Sequence, residues 1–278
     1  MAGPVVALVI PAYRESLRLP PLLLELADVA LAEPAPATEI LVVDDGSGPG
    51  EVERERAAVI AAGEKLERAG VPHRVRFVAS PRNEGKGAAI RRGWAEANPG
   101  AYWLGFLDAD GAVRAREAWR LVGMTASAED LDVLSGTRVL MAGRHIQRSL
   151  YRHLQGRVFA TLVERSFQLC FYDTQCGVKL VRADLLRPLL PALRETRWLL
   201  DVELLSLLDR AGARMREVPI DWSDPGGSKV RPGLDAVKMA LGLWRIRRRL
   251  GCARNGAQPR GPAEPRDPSR EACGADGG

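Results

Sequence analysis

The chain has 278 residues, of which 46% are hydrophobic and 27% are charged, the balance of an ordinary folded protein. This composition excludes a disordered chain, a collagen-like repeat and a protein with several membrane spans, because charges interrupt every apolar stretch before the roughly 18 residues that a spanning helix needs. A net charge of +5 favours an anionic partner, such as a nucleotide, a phosphate or an acidic membrane surface.

The strand-like and helix-like segments alternate in the first part of the chain. Short β-branched or Leu-rich runs predict strands, and the segments between them predict helices: strands at Val5–Ile10, Glu39–Val43, Arg74–Ala79 and Trp103–Leu107, and helices at 20–32, 51–69 and 86–97. This alternation predicts an α/β fold with a mostly parallel central sheet and helices on both faces. Ligands of such sheets bind at the carboxyl ends of the strands.

Carboxylates, a lysine and glycine turns follow these four strands. They lie in the segments Pro11–Glu15, Asp44–Ser47, Asn83–Gly87 and Asp108–Gly111. Because the carboxyl ends of parallel strands lie at one edge of the sheet, we expect the four segments to form one site. Asp108 and Asp110 offer hard oxygen ligands to Mg²⁺ or Mn²⁺, and such a metal can neutralise a diphosphate.

Three further residues in these segments suit a nucleotide diphosphate. Lys86, near a helix start, can contact a phosphate. Asp44 and Asp45 can accept hydrogen bonds from a base or a ribose. Two other phosphate motifs fail, because Glu51 replaces the last glycine of a dinucleotide fingerprint and Ser80 replaces the first glycine of a P-loop.

Together these segments resemble the inverting family 2 glycosyltransferases, whose fold is called GT-A. Three segments of the second half resemble the dolichyl-phosphate β-glucosyltransferases and their bacterial relatives: Asp173–Leu180, Asp201–Leu205 and Gly227–Lys229. The resemblance covers residues 5–250 and implies transfer of a hexose from a nucleotide sugar, UDP-glucose or GDP-mannose, to a polyprenyl phosphate. Ala112 stands where mannose-transferring relatives often have a glutamine, which favours glucose.

The resemblance also implies roles for individual residues. The nucleotide pocket would be lined by Pro11, Ala12, Tyr13, Glu15, Asp44, Lys86 and Asp108. The divalent cation would be held by Asp110, with Asp108 as the second candidate ligand.

On the acceptor side, a polyprenyl phosphate is already an anion near neutral pH. It therefore needs positioning and charge neutralisation more than it needs a general base. We expect Arg138, after a predicted strand at Asp132–Thr137, to grip the lipid phosphate together with Arg148 or Arg152. Lys229 is a further candidate cation.

Three residues of the resembling segments are candidates for contact with the sugar or the acceptor. Asp201 would position the sugar, although it could equally cap its own helix. Gln175 and Lys179 would contact the sugar or the acceptor, although the turn around Gln175 could instead only shape the site.

Two amphipathic segments suggest how the chain meets a lipid. Apolar residues recur every four positions from Ile146 to Leu162, and a second stripe runs from Leu234 to Trp244 in a helix over about 232–250. Arginines accompany both stripes, and basic amphipathic helices bind anionic membrane interfaces. We expect peripheral attachment to the cytoplasmic face of a membrane, with core packing as the alternative.

We predict one domain over 1–250 and a disordered tail over 251–278, which is rich in Gly, Pro, Ala and Arg. The first residues have neither the basic segment nor the cleavage motif of a secretory signal, so we expect a cytoplasmic protein. The cluster Arg245–Arg249 lacks the interleaved aromatics of a nucleic-acid-binding module, so no nucleic acid partner is expected.

Two other functions remain open. A family 2 enzyme acting on a soluble or polysaccharide acceptor would use Asp201 or Glu203 as a base. A catalytically idle GT-A-like binding protein would need no active metal site. The presence of Lys86, Asp108 and Asp110 favours an active enzyme.

Overall fold

The computed structural model describes residues 5–139, 141, 143–147, 150–169, 171–223 and 234–251. Two of the predicted acceptor cations, Arg148 and Lys229, lie outside the described residues, as does the predicted tail beyond Gly251. Arg152 lies in a described helix, but its side chain is outside the description.

A seven-stranded sheet forms the centre of the molecule. Its strands are β1 (Val6–Ala12), β2 (Thr38–Asp44), β3 (Arg74–Ala79), β4 (Trp103–Leu107), β5 (Val133–Thr137), β7 (Val178–Arg182) and β8 (Met215–Pro219), and β6 (Ile146–Gln147) pairs separately with β9 (Trp222–Ser223). The order across the large sheet is β3-β2-β1-β4-β7-β5-β8. Within it β7 is antiparallel to both of its neighbours, and the other pairings are parallel.

Eight described α-helices accompany the sheet: α1 (Leu19–Ala32), α2 (Pro49–Arg68), α3 (Lys86–Glu96), α4 (Ala115–Met124), α5 (Leu150–Phe167), α6 (Ala183–Leu189), α7 (Leu200–Arg210) and α8 (Leu234–Leu250). The predicted strands and helices of the first part of the chain are confirmed to within two residues at each end. Ile146 departs from the predicted stripe. It lies in β6, where it pairs with Trp222 of β9, and α5 begins only at Leu150.

The sheet is covered on both faces, as predicted. In β1, Leu8 and Ile10 point into a core formed with α1, α2 and α4, whereas Ala7 and Val9 point into a second core formed with α3, α6 and α7. The alternation follows from the two-residue period of a strand. Both cores are apolar, so the central strands are hydrophobic throughout and polar groups concentrate at the strand ends.

A third apolar cluster attaches α8 to the rest of the molecule. Leu243 and Ile246 of α8 pack with Val202 and Leu205 of α7 and with Val163 of α5. The residues by which α8 packs are therefore not those of the predicted stripe, because Leu241 and Trp244 of that stripe are exposed. Within the described helices, none is both long enough and apolar enough to cross a bilayer.

Candidate active site

The predicted segments meet at one edge of the sheet. Ala12 at the end of β1 lies in register with Asp44 at the end of β2, and Asp108 follows β4 directly. Because β7 is antiparallel, its beginning lies at this same edge, and the Gly177 carbonyl accepts a hydrogen bond from the Asp108 amide at 2.8 Å. A Cβ on Gly177 would lie 2.7 Å from Asp108 Oδ2, so glycine permits this approach.

Asp44 is fully buried and organises the turn that follows β2. Its Oδ2 accepts the Gly46 amide at 3.0 Å, and both of its oxygens accept the Ser47 amide at 3.2 Å. The Ser47 hydroxyl in turn accepts the Arg14 amide at 2.8 Å. The carboxylate therefore ties the turn after β2 to the segment after β1.

Asp45 joins the end of β2 to the loop that carries Lys86. Its Oδ1 accepts the Glu84 amide at 2.9 Å and its Oδ2 accepts the Gly85 amide at 2.7 Å. Burial raises the pKa of Asp45, and the two amides partly offset that increase. With both oxygens engaged, Asp45 holds the loop that carries Lys86.

Lys86 forms an ion pair with Asp108, with Nζ 2.6 Å from Oδ1. Burial opposes the charge of Lys86, but the carboxylates of Asp108 and Asp201 outweigh it and raise the pKa of the lysine. The ammonium also lies 5.3 Å from the centre of the Phe106 ring. The site thus keeps one charged lysine, partly exposed, at the end of β4.

Asp110 is the carboxylate most available to a divalent cation. Its Oδ1 accepts the Ala112 amide at 3.0 Å, and the side chain is partly exposed. In the described part of the chain, no three His, Cys, Asp or Glu residues are arranged to hold a metal ion. Mg²⁺ is often bound by one or two carboxylates together with substrate phosphates, and the Asp110 side chain is a carboxylate of the kind that such sites use.

Lys179 and Asp201 form a buried ion pair beneath the site. Lys179 Nζ lies 2.6 Å from Asp201 Oδ1 and donates to the Cys176 carbonyl at 2.8 Å. The lysine side chain is 0% exposed and that of Asp201 is 7% exposed. Direct contact of Lys179 with a substrate stays a prediction.

Arg138 is held by Asp173 in a two-pronged ion pair. Its Nε and Nη2 donate to the two oxygens of Asp173 at 2.6 and 2.8 Å, and Nη2 also reaches the Gln175 carbonyl at 3.3 Å. Burial opposes the charge of Arg138, but Asp173 outweighs it and raises the pKa of the guanidinium. Glu217 in turn holds the backbone of Asp173, because its Oε1 accepts the Asp173 amide at 2.9 Å.

Gln175 lies in the turn before β7, and its side-chain Nε2 donates to the Trp198 carbonyl at 3.3 Å. Of the residues after β1, Pro11 and Ala12 are buried at the end of the strand and Tyr13 is partly exposed. Glu15 makes a two-pronged ion pair with Arg18, with both N–O distances at 2.6 Å. The structure thus brings the donor-side predictions to one edge of the sheet.

Glu203 has a role that the sequence does not reveal. Its Oε2 accepts the amides of Arg194 and Glu195 at 2.8 and 2.7 Å, and its Oε1 accepts Arg249 Nη2 at 2.8 Å. The next residue in that loop, Thr196, accepts the Ala88 amide at 3.1 Å. Glu203 therefore connects the end of α8 to the loop that packs on the start of α3.

Comparison with known proteins gives three findings. The family model described as Glycosyl transferase family 2 matches residues 7–186. The dolichyl-phosphate beta-glucosyltransferase of Saccharomyces cerevisiae is 31% identical over 252 residues, which cover 87% of this chain and 73% of the relative. The Drosophila melanogaster protein of the same name is 32% identical over 260 residues, which cover 86% and 77%.

Solved structures of other proteins have a fold similar to that of this chain. Glucosyl-3-phosphoglycerate synthase of Mycobacterium tuberculosis, in complex with Mn²⁺, UDP-glucose and phosphoglyceric acid, has a TM-score of 0.64 at 18% identity, and the match covers 92% of this chain and 83% of that one. The same enzyme with Mg²⁺ and UDP has a TM-score of 0.62. The likeness confirms the expected GT-A fold.

Proposed function

Because the chain belongs to glycosyl transferase family 2, we propose that it transfers glucose from UDP-glucose to a polyprenyl or dolichyl phosphate, with inversion at the anomeric carbon. The names of the relatives support the sugar and the acceptor. The observation within the site that supports an anionic acceptor is that each candidate base is already paired with a cation, Asp201 with Lys179 and Glu203 with Arg249.

Of the two candidate bases, Glu203 has both carboxylate oxygens engaged, whereas Asp201 has its Oδ1 engaged. Asp201 is enclosed with the Lys179 ammonium, and Glu203 is nearly fully buried with two amides and the Arg249 guanidinium on its oxygens. A proton taken from a hydroxyl acceptor would neutralise the carboxylate that receives it, at the cost of leaving Lys179 or Arg249 without the charge of its partner. A phosphate acceptor arrives already deprotonated, which favours the polyprenyl phosphate over a polysaccharide.

On the donor side, Asp110 would hold Mg²⁺ or Mn²⁺ against the diphosphate. The cation would supply positive charge to the departing UDP. Lys86 supplies a second positive charge at the same strand end, and its pairing with Asp108 holds it ready to turn to a phosphate oxygen. Asp44 and Asp45 maintain the two turns between which the nucleotide would lie.

On the acceptor side, Arg138 would bind the lipid phosphate. Asp173 holds its Nε and Nη2, while Nη1 makes no hydrogen bond to the described residues and so keeps its donors for a ligand. Gln175 lies on the same turn and would contact the sugar or the phosphate. Arg148, Arg152 and Lys229 remain proposed as additional cations.

The deciding experiment incubates the protein with radiolabelled UDP-glucose, undecaprenyl phosphate and Mn²⁺ or Mg²⁺, with GDP-mannose in parallel. We expect a mild-acid-labile glycolipid from UDP-glucose that disappears when EDTA is added. A better yield from GDP-mannose would overturn the choice of sugar. Transfer to a soluble sugar without any lipid product would overturn the choice of acceptor.

Gly85→Ala tests the lysine loop, with Gly48→Ala as a matched control. Both glycines precede a helix at positive φ, +107° for Gly85 and +96° for Gly48, so each alanine costs about 1–3 kcal/mol of backbone strain. Only at position 85 does the added Cβ come within 2.4 Å of the Thr196 carbonyl oxygen, whereas nothing lies within 4 Å at position 48. We expect Gly85→Ala alone to raise the KM for UDP-glucose, by roughly tenfold, which corresponds to about 1.4 kcal/mol. Equal KM values for the two variants would contradict the proposed role of this loop.

We also propose that α5 and α8 form a membrane-contact surface. Leu241 and Trp244 of α8 are each 58% exposed, and Val158 and Leu162 of α5 are exposed as well. The exposed arginines of α8 follow this apolar surface in the sequence: Arg245, Arg247 and Arg248. Exposed apolar residues beside arginines are the combination that binds an anionic lipid interface.

A double substitution, Leu241→Ser with Trp244→Ser, tests this surface. Burying a large apolar side chain contributes about 1.5–3 kcal/mol, so partitioning onto vesicles containing anionic lipid should fall by about tenfold or more. The control is Ile60→Ser on α2, which is 53% exposed but far along the chain from either helix. Vesicle flotation measures the bound fraction, and equal flotation of all three proteins would exclude the surface.

A further inference from the structure

Glu55 of α2 is a buried carboxyl group that the proposed chemistry does not use. It is 0% exposed and lies in the first half of α2. Its Oε1 accepts the Glu15 amide at 3.0 Å, whereas its Oε2 is buried and accepts no hydrogen bond from the described residues. The same side chain lies within hydrogen-bonding reach of the Asp44 carboxylate, which is also fully buried.

Glu55 and Asp44 are buried side by side, and both burial and their mutual repulsion favour the neutral form of one of the two carboxyl groups. A single proton on Glu55 removes the repulsion between the two carboxylates and also provides a hydrogen bond for the unpartnered Oε2. The neutral acid donates its hydrogen to Asp44, which gives the unpartnered oxygen a partner. The pair then carries one negative charge, located on Asp44, whose oxygens also accept the amides of Gly46 and Ser47.

We propose that Glu55, as the protonated acid, is a positioning residue of the nucleotide pocket that links Asp44 after β2 to the Glu15 backbone after β1. This inference rests on the proposed function for the identity of the nucleotide. When Glu55 loses its proton, the link becomes a repulsion between two buried charges. Donor affinity therefore depends on the protonation state of a residue that does not touch the donor.

The charges around Glu55 support the location of the proton. From β2 it faces Asp44, and from its own helix it is approached by Glu51. From the segment after β1 it faces the backbone of Glu15, whose side chain is already paired with Arg18. Burial raises the pKa of Glu55 to about 7, the Glu15 amide opposes the increase, and Asp44 adds to it.

The sign of the pH dependence follows from this raised pKa. The folded protein holds the proton up to about pH 7, whereas the unfolded chain releases it near the usual value of 4.5. As pH rises from 4.5 to 7, this group therefore lowers the free energy of unfolding. Above about pH 7 the charged form dominates in the fold as well, and the affinity for UDP falls.

The test compares the wild type with Glu55→Gln, Glu55→Ala and the exposed control Glu53→Gln, each as the full chain. The Gln amide can donate to Asp44 at any pH and its carbonyl can still accept the Glu15 amide. We expect wild-type UDP affinity, measured by calorimetry with Mg²⁺, to fall several-fold between pH 6 and pH 8.5. Glu55→Gln should remove that fall, Glu53→Gln should keep it, and Glu55→Ala should bind weakly at both pH values.

A second measurement needs no ligand, so it separates this inference from the proposed function. Urea unfolding from pH 5 to 8 should show Glu55→Gln gaining stability relative to the wild type as pH rises. A constant difference would overturn the buried proton. If the difference grows but UDP affinity is independent of pH, the positioning role is overturned. Absence of UDP binding at every pH would overturn the proposed donor, and the unfolding data would still decide where the proton lies.

Discussion

Asp110→Asn should lower the rate of sugar transfer by about 10²–10³-fold, the usual effect of removing one group that stabilises developing charge. Asparagine removes the negative charge that would hold the cation, while its side-chain oxygen can still accept the Ala112 amide that Asp110 accepts at 3.0 Å. The fold should therefore persist, with the free energy of unfolding changed by less than about 0.5 kcal/mol.

This variant is measured by glycolipid formation across a titration of Mn²⁺. The matched control is Asp130→Asn, which neutralises a highly exposed carboxylate that precedes β5, at the opposite end of that strand from Arg138. Transfer by the control should match the wild type. An Asp110→Asn enzyme that keeps both its rate and its metal requirement would show that the cation is held elsewhere, with Asp108 as the next candidate.

Lys179→Met should lower the free energy of unfolding by about 3–5 kcal/mol, because it leaves the Asp201 carboxylate buried without its partner. The lysine side chain is 0% exposed and that of Asp201 only 7% exposed. Adding Asp201→Asn to Lys179→Met removes the orphaned charge. The double variant should therefore recover most of the lost stability, although neither variant should transfer sugar at the wild-type rate.

The comparison is made by urea unfolding, with Lys65→Met as the control. Lys65 also forms an ion pair, with Asp28, but the two side chains are 33% and 64% exposed. An exposed pair of this kind contributes at most about 1 kcal/mol. If Lys179→Met were no more damaging than Lys65→Met, the pair beneath the site would not be the structural support that the geometry indicates.

The fold and the position of the carboxylates and the lysine at one edge of the sheet were largely predictable, because their signals are local. The runs that became β1 to β4 are short, apolar and ended by turn residues, and these features act within a few positions along the chain. Parallel strands present their carboxyl ends at one edge of the sheet, and this rule predicts the location of Asp44, Lys86, Asp108 and Asp110.

The buried residues that support the site were harder to predict from the sequence. For Glu55 the sequence offers one signal, its position in an apolar stripe of α2. It occupies the same helical stripe as the buried Val59, Ala62 and Leu66 of α2. An acidic residue at an apolar position of an amphipathic helix is worth attention, because burial of a carboxyl group is costly without a proton or a partner. The sequence does not say which partner that is.

The sequence by itself determined the order of elements, the two apolar faces of the sheet and the residues at its carboxyl edge. Only the tertiary structure decided how those residues are used. Asp45 binds amides 39 and 40 positions away, and Lys179 finds Asp201 22 positions away. The antiparallel direction of β7 brings Gly177 against Asp108. Strand and helix patterns depend on neighbouring residues, whereas these pairings depend on strand order and register, which become definite only when the whole sheet is assembled.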